Sequence, residues 1–281
     1  MAATESPKPI LIAHLYSKIE SKLIDLLRSL DSEEWEVPTI VKAWKVKDVA
    51  AHLLDTQLRK LSMARDGYVS SSPVINSNDD LVAFINRLNS EGVAIYRRLS
   101  PRVLISLMEI ASRESAEYHQ SLDPFASSTF AGVSWAGEKE SPNWFDTARE
   151  ITERWHHQQQ IRMAVNTPGI MTPDLYYPVL DTFMRALPFH YRVIDRNAET
   201  MIEVNVSGEC GGSWYLYRNS ETWSLIGSPM GTKIAEVIIP QEIAWRIFTK
   251  GIDRNYAQEQ IKTEGDPETG SHILSMVSIV G

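Results

Sequence analysis

Thr152-Glu153-Arg154-Trp155-His156-His157-Gln158-Gln159-Gln160-Ile161-Arg162 is the stretch on which the reading of this 281-residue chain turns. Written as a helix, it puts Glu153 and His157 one turn apart on one face, because residues i and i+4 stack along the helix axis. The same face runs on into Ile161 and Ala164, so it points inward. A carboxylate and an imidazole on an inward face are costly unless something pairs with them. They satisfy each other, or a divalent metal satisfies both together with a third donor from elsewhere in the chain. Adjacent helical residues point about 100° apart, so of the tandem histidines only His157 shares the face of Glu153.

The helical pattern extends over most of the chain before this stretch. Leu15, Ile19, Leu23, Leu27 and Leu30 recur at steps of three and four, which predicts a helix over 9–30. A connector with Trp35, Pro38 and Trp44 follows, and two tryptophans there imply that it packs onto the helices. A second helix over 46–65 carries Val46, Val49, Ala50, Leu53, Leu54, Leu58 and Leu61, with Lys45 in the cap position that Ser, Thr or Asp fills better. Ser77-Asn78-Asp79-Asp80 caps a third helix over 79–99, and Ser100-Pro101 opens a fourth that reaches about residue 122. A long loop spans 123–140. Ser141-Pro142 then opens the helix of the quoted stretch, and Thr172-Pro173 opens another that runs to about residue 187.

After Pro188 the period changes to two. Strands are predicted over 200–206, 213–217, 222–226, 234–239 and 260–263, with a short helix over 243–250 and a closing helix over 269–279. The expected architecture is a helical bundle over 1–190 followed by a smaller α+β domain with an antiparallel sheet over 191–281.

Composition excludes several function classes. The net charge of −8 lacks the basic excess of a nucleic-acid binder. No apolar run approaches the roughly 20 residues of a membrane helix, and residues 1–9 lack the order of a secretory signal. The single cysteine, Cys210, excludes an intramolecular disulfide, and with no base beside it a nucleophilic role is unsupported. A cytoplasmic location is the expectation.

Two histidines and a glutamate form the donor set of several catalytic zinc sites, with one position left open. His52 is the natural third donor, since it is the one histidine of the second helix and its neighbours are apolar. The plain alternative makes Glu153 and His157 an ordinary i,i+4 pair and His52 a core histidine. A metal-bound imidazole needs a partner on its other nitrogen, and Asp55 and Gln160 are within reach, unless solvent holds them. Arg218 and Arg246 are candidate anion binders or plain surface charges.

Trp44-Lys45-Val46-Lys47-Asp48-Val49-Ala50-Ala51-His52-Leu53 resembles the first metal-ligand motif of the mycothiol-dependent maleylpyruvate isomerase family, within the wider DinB-like group of four-helix bundles. Glu153 to Arg162 resembles the second motif, Glu-x3-His-x2-Asp. The resemblance places His52, Glu153 and His157 on the three metal ligands. The last third, with Trp214, Ala244-Trp245-Arg246 and Gly265-Asp266, is similar to the family's sterol-carrier-like α+β domain. Two positions depart from the pattern: Gln160 stands where the family has aspartate, and Lys45 where it has a capping Thr or Ser.

The resemblance implies an enzyme with a divalent metal and a low-molecular-weight thiol, mycothiol or bacillithiol, acting on a small electrophilic substrate by isomerisation or thiol transfer. Zinc is the ion this donor set favours, with nickel as the other candidate. A metal-dependent hydrolase and a non-enzymatic binder of an apolar small molecule or lipid are the alternatives, because one fold hosts several chemistries.

Overall fold

The computed structural model describes residues 6–69, 73–129 and 132–279. The chain divides into two compact units, one built on Ile12–Phe130 and Pro142–Ile170, the other on Met171–Ile279 with Ala131–Ser141 and the N-terminal residues.

The first unit is a helical bundle. Its helices are α1 (Leu15–Ser29), α2 (Val46–Lys60), α3 (Asn78–Tyr96), α4 (Pro101–Ser121) and α5 (Asn143–Ala164). Leu23, Leu26 and Leu27 of α1, Val49, Ala50, Leu53 and Leu54 of α2, Leu104, Met108 and Ala111 of α4, and Ile161 of α5 form one core. Helix α3 packs on α2. The predicted caps account for the starts of α3 and α4: Ser77 Oγ accepts from Asp80 N, and Ser100 Oγ accepts from Val103 N. Lys45 has no side-chain acceptor, but Asp48 Oδ2 takes the Lys45 N–H at 3.1 Å, so half a capping box survives. Helix α2 does not run unbroken to Arg65 as predicted. It passes at Leu61–Arg65 into a π-helical turn, from which Arg65 reaches Glu114 of α4 at 2.7 Å.

The second unit is α+β. Helices α6 (Pro173–Met184) and α7 (Leu187–Tyr191) lead into strands β1 (Thr200–Ser207), β2 (Gly212–Arg218), β3 (Trp223–Ile226) and β4 (Thr232–Pro240). Helices α8 (Gln241–Phe248) and α9 (Arg254–Gln260), strand β5 (Lys262–Gly265) and helix α10 (Pro267–Ser271) complete it. The strand order is β3-β2-β1-β4-β5.

Three differences from the sequence reading have physical causes. The sheet is mixed rather than antiparallel, because β4 lies beside β1 in parallel while the other pairs run antiparallel. Helices α6 and α7 group with the sheet rather than with the bundle over 1–190. Tyr176 donates to the Gln241 carbonyl at 2.7 Å, Tyr177 stacks on Trp214, and Asp181 accepts from the Trp214 indole at 2.8 Å. Finally, the closing helix over 269–279 is only α10 and a 3-10 turn at His272–Ser275, while α9 forms where Asp253 caps Asn255 and Tyr256.

Candidate metal centre

Helix α5 carries a polar stripe at steps of three and four: Asp146, Arg149, Glu150, Glu153, His157 and Gln160. Such a stripe on a buried helix must be paired, and α2 supplies the partners. His52 lies on α2 against the upper part of the stripe, and Lys60, two turns further on, lies against the lower part.

At the upper end, His52, Glu153 and His157 each offer a ligand atom, and these atoms lie within 4.8 Å of one another. His157 Nε2 is 3.6 Å from Glu153 Oε2. The rings of His52 and His157 meet edge-on, with centroids 4.7 Å apart. Trp44 covers both, its ring 4.8 Å from that of His52 and 6.2 Å from that of His157. The connector before α2 fixes this tryptophan: Thr39 donates to the Trp44 carbonyl through both its N–H and its hydroxyl.

The expected partners divide. Gln160 Oε1 accepts from His157 Nδ1 at 2.8 Å, which keeps the proton on Nδ1 and leaves the Nε2 lone pair facing Glu153. Asp55 does not serve His52. Its carboxylate takes Arg59 Nε at 2.7 Å, and the closely packed Gly92 of α3 backs it. His52 Nδ1 is buried with no hydrogen-bond partner. His156 is a neighbour outside the triad. Its Nδ1 bonds the Thr152 carbonyl at 2.9 Å, and its ring lies 4.0 Å from that of His157.

Burial sets the electrostatics. It drives the His52 pKa down to about 3, with Arg59 and Arg154 adding to the effect. It drives His157 well below its ordinary value, and His156 and His52 act in the same direction. Burial pushes Glu153 upward, opposed by His156 and Arg149. Both imidazoles are therefore neutral near pH 7, with lone pairs available. Two neutral imidazoles and one carboxylate, with one ring nitrogen of His52 otherwise unpartnered, fit a divalent cation that takes nitrogen and oxygen donors.

At the lower end, Lys60 Nζ lies 2.6 Å from Asp146 and 3.1 Å from Glu150, and Arg149 Nη2 lies 2.9 and 3.2 Å from the same two carboxylates. Behind the triad, Arg154 grips Glu20 with Nε and Nη2 at 2.6 and 3.0 Å and bonds the Leu53 carbonyl at 2.6 Å. The covering role of Trp44 and the lower charge cluster escaped the sequence reading. The spacing of Asp146, Arg149 and Glu150 ahead of Glu153 was the available signal for the cluster.

Arg218 and Arg246 belong to the other unit. Arg218 lies 3.8 Å from Asp195, and Arg246 Nε donates to the Gly251 carbonyl at 3.3 Å past the end of α8. Cys210 is buried, and its backbone N–H donates to Gln241 Oε1.

A helical bundle with a His-Glu-His cluster set between two of its helices, followed by an α+β unit, defines a class of candidate metalloprotein. The chain belongs to the mycothiol maleylpyruvate isomerase N-terminal domain family, whose family model matches residues 16–162, more than half of its length. Among solved structures it is similar to the mycothiol-dependent maleylpyruvate isomerase, at TM-score 0.52 and 13% identity over 93% of this chain and 92% of that one. A histidine-to-alanine mutant of that enzyme matches over the same shares at TM-score 0.52 and 12% identity. These likenesses show a common fold. A search of curated proteins returns no match. Among the described residues, no helix is long and apolar enough to cross a membrane.

Proposed function

We propose that this protein is a metal-dependent enzyme that uses a low-molecular-weight thiol of the mycothiol or bacillithiol type to isomerise a small electrophile or to transfer the thiol to it. The observation that carries the reading is the convergence of His52, Glu153 and His157 from two helices, with both imidazoles neutral and one ring nitrogen buried without a partner. His52, Glu153 and His157 would hold the ion, zinc first and nickel second for this donor set. A divalent ion so held supplies a Lewis-acid position and lowers the pKa of a thiol or water that reaches it.

The protein's own part is to prepare that position. Gln160 orients the His157 ring, Arg154 anchors α5 to α1 and α2 behind the site, and Trp44 screens the two imidazoles. Glu153, whose side chain keeps 24% of its surface accessible, marks the side from which solvent and ligand enter. Dependence on a cytoplasmic thiol would place the protein in the cytoplasm. Family membership and the whole-chain likeness to a mycothiol-dependent isomerase support this reading over the hydrolase and lipid-binder alternatives.

Elemental analysis of the purified protein and of His52→Ala, together with an assay on electrophiles with and without added thiol, tests the proposal. The expected result is one divalent ion per chain, lost in His52→Ala, and turnover that requires the thiol. Absence of metal from the wild type would sink it. Turnover indifferent to thiol would point to water activation instead.

A further inference from the structure

The sheet unit holds a pair of histidines that the proposed metal centre does not use. His190 lies in the last turn of α7, and His272 opens the 3-10 turn at His272–Ser275. Their rings stack, with centroids 4.2 Å apart and planes 21° from parallel. His190 Nε2 is 2.9 Å from the His272 carbonyl oxygen, and His272 Nε2 is 3.2 Å from the His190 carbonyl oxygen. A carbonyl oxygen only accepts, so both Nε2 atoms carry hydrogen and each ring is tied to the other's backbone. The Ser275 hydroxyl donates to the same His272 carbonyl at 2.8 Å. Tyr191 sets its ring edge-on to both imidazoles and donates its hydroxyl to the Thr269 carbonyl at 3.1 Å.

With both Nε2 positions committed, any added proton goes to an Nδ1. Among the described residues neither Nδ1 is bonded, and neither is sealed from solvent. One proton leaves both cross-bonds intact and strengthens one of them, because a charged donor binds a carbonyl better. A second proton sets two cations face to face across the stack. The surroundings do not relieve that repulsion. Helix α7 packs on β3, on the 3-10 turn at Ser134–Ala136 and on the turn of His272, which packs in its turn on α9 and α10. Neither β3 nor Ser134–Ala136 carries an ionisable group. Helix α9 brings Arg254, Tyr256 and Glu259, and α10 brings Glu268, which Arg196 holds at 3.0 Å. Among the described residues no carboxylate pairs with either ring. Burial, against the pull of the His272 carbonyl and with help from the charges of His272, Arg192 and Arg254, holds His190 at about 4 instead of 6.5.

We propose that His190 and His272 form a proton-sensitive latch that fastens residues 267–275 onto α7 and takes up no more than one proton while it is closed. Opening separates the rings and lets each take its own proton, so the open form binds about one proton more. A histidine held below its ordinary value stabilises the closed form at high pH, and that contribution is lost as pH falls below 6.5. Acid therefore loosens this segment. The latch contains no residue of the proposed metal centre and stands or falls apart from it.

Two measurements on the full-length protein test the latch. In the first, NMR follows the Cε1–H resonances of His190 and His272 from pH 8 to pH 5. Uptake by the pair should level off at one proton or less. Full protonation of both rings by pH 5, with the fold intact, would overturn the proposal. In the second, hydrogen exchange is read at the Met276 amide, which bonds the Ile273 carbonyl inside the turn at 2.9 Å. After correction for the intrinsic rate, its protection should fall by up to about tenfold per pH unit between 6.5 and 5. His272→Phe keeps a stacked ring but removes one ionisable group and one cross-bond. It should show weaker protection at pH 7 and a shallower dependence on pH. Protection indifferent to pH in the wild type, or an equal slope in the two proteins, would reduce the pair to a structural contact and overturn the latch. If His272→Phe fails to fold, the wild-type titration decides.

Discussion

Gln160 Oε1 lies 2.8 Å from His157 Nδ1, and this one hydrogen bond decides which nitrogen of His157 faces Glu153. The family motif has aspartate in this position, and a neutral amide polarises the ring less than a carboxylate does. Gln160→Leu should therefore lower metal affinity by roughly 10–100-fold, the range usual for such supporting partners, while Gln160→Asp should match or exceed the wild type. Competition against a chromophoric chelator measures both.

Arg154 and Glu20 keep only 1% and 2% of their side-chain surface accessible, and they pair across the bundle through two hydrogen bonds. Removing one partner strands a buried charge, which costs about 3–5 kcal/mol. Glu20→Leu should show that loss in urea unfolding. Since Arg154 also bonds the carbonyl of Leu53, next to His52, the variant should weaken metal binding as well. Replacing both residues with apolar ones of similar size should recover much of the stability.

Acid should unfold the metal-free protein in two stages. Burial holds His119 at about 4, with Lys60 adding to the effect, below its ordinary 6.5. Between those values the unfolded chain binds more protons than the folded one, so stability falls as pH drops from 6.5 towards 4, by up to about 1.4 kcal/mol per unit. Glu150 is raised by burial, but Lys60 and Arg149 outweigh that and hold it at about 2. Asp146 is lowered in the same way. Their stabilisation is complete above the ordinary carboxylate range and is lost below it, as pH falls towards 2. Urea midpoints at pH 7, 5 and 3.5 would follow both stages, and His119→Phe should make the upper one shallower without abolishing it, because His52, His157 and His190 are lowered by burial in the same way.

Trp44 lies over both imidazoles, so its emission should report what happens to them. Nickel added to the apoprotein is expected to quench a component of the fluorescence that is missing in Trp44→Phe. Equal quenching in the two proteins would mean that the ion binds away from this tryptophan.

The triad was legible in the sequence because its geometry is mostly local. Glu153 and His157 are fixed by one helical turn, and His52 by its place among apolar residues on a second helix. The caps of α3 and α4 were legible for the same reason. Features set by distant parts of the chain were not. The parallel pairing of β4 with β1 depends on how the chain returns after β3, and the strand pattern is the same for either direction. Helix α6 groups with the sheet because Tyr176, Tyr177 and Asp181 find Gln241 and Trp214, residues that its own periodicity does not reveal. Asp55 looked like a partner for His52 from spacing, but Arg59, four residues on, outcompetes the imidazole for its carboxylate.

The three donors come from segments about a hundred residues apart, one on α2 and two on α5. Anything that binds all three is a removable cross-link between those helices, closing a long loop of chain as a disulfide would in a protein that has only one cysteine. Loading would then raise the melting temperature in step with free ion concentration. A chelator would act as a mild denaturant, selective for the seam between α2 and α5.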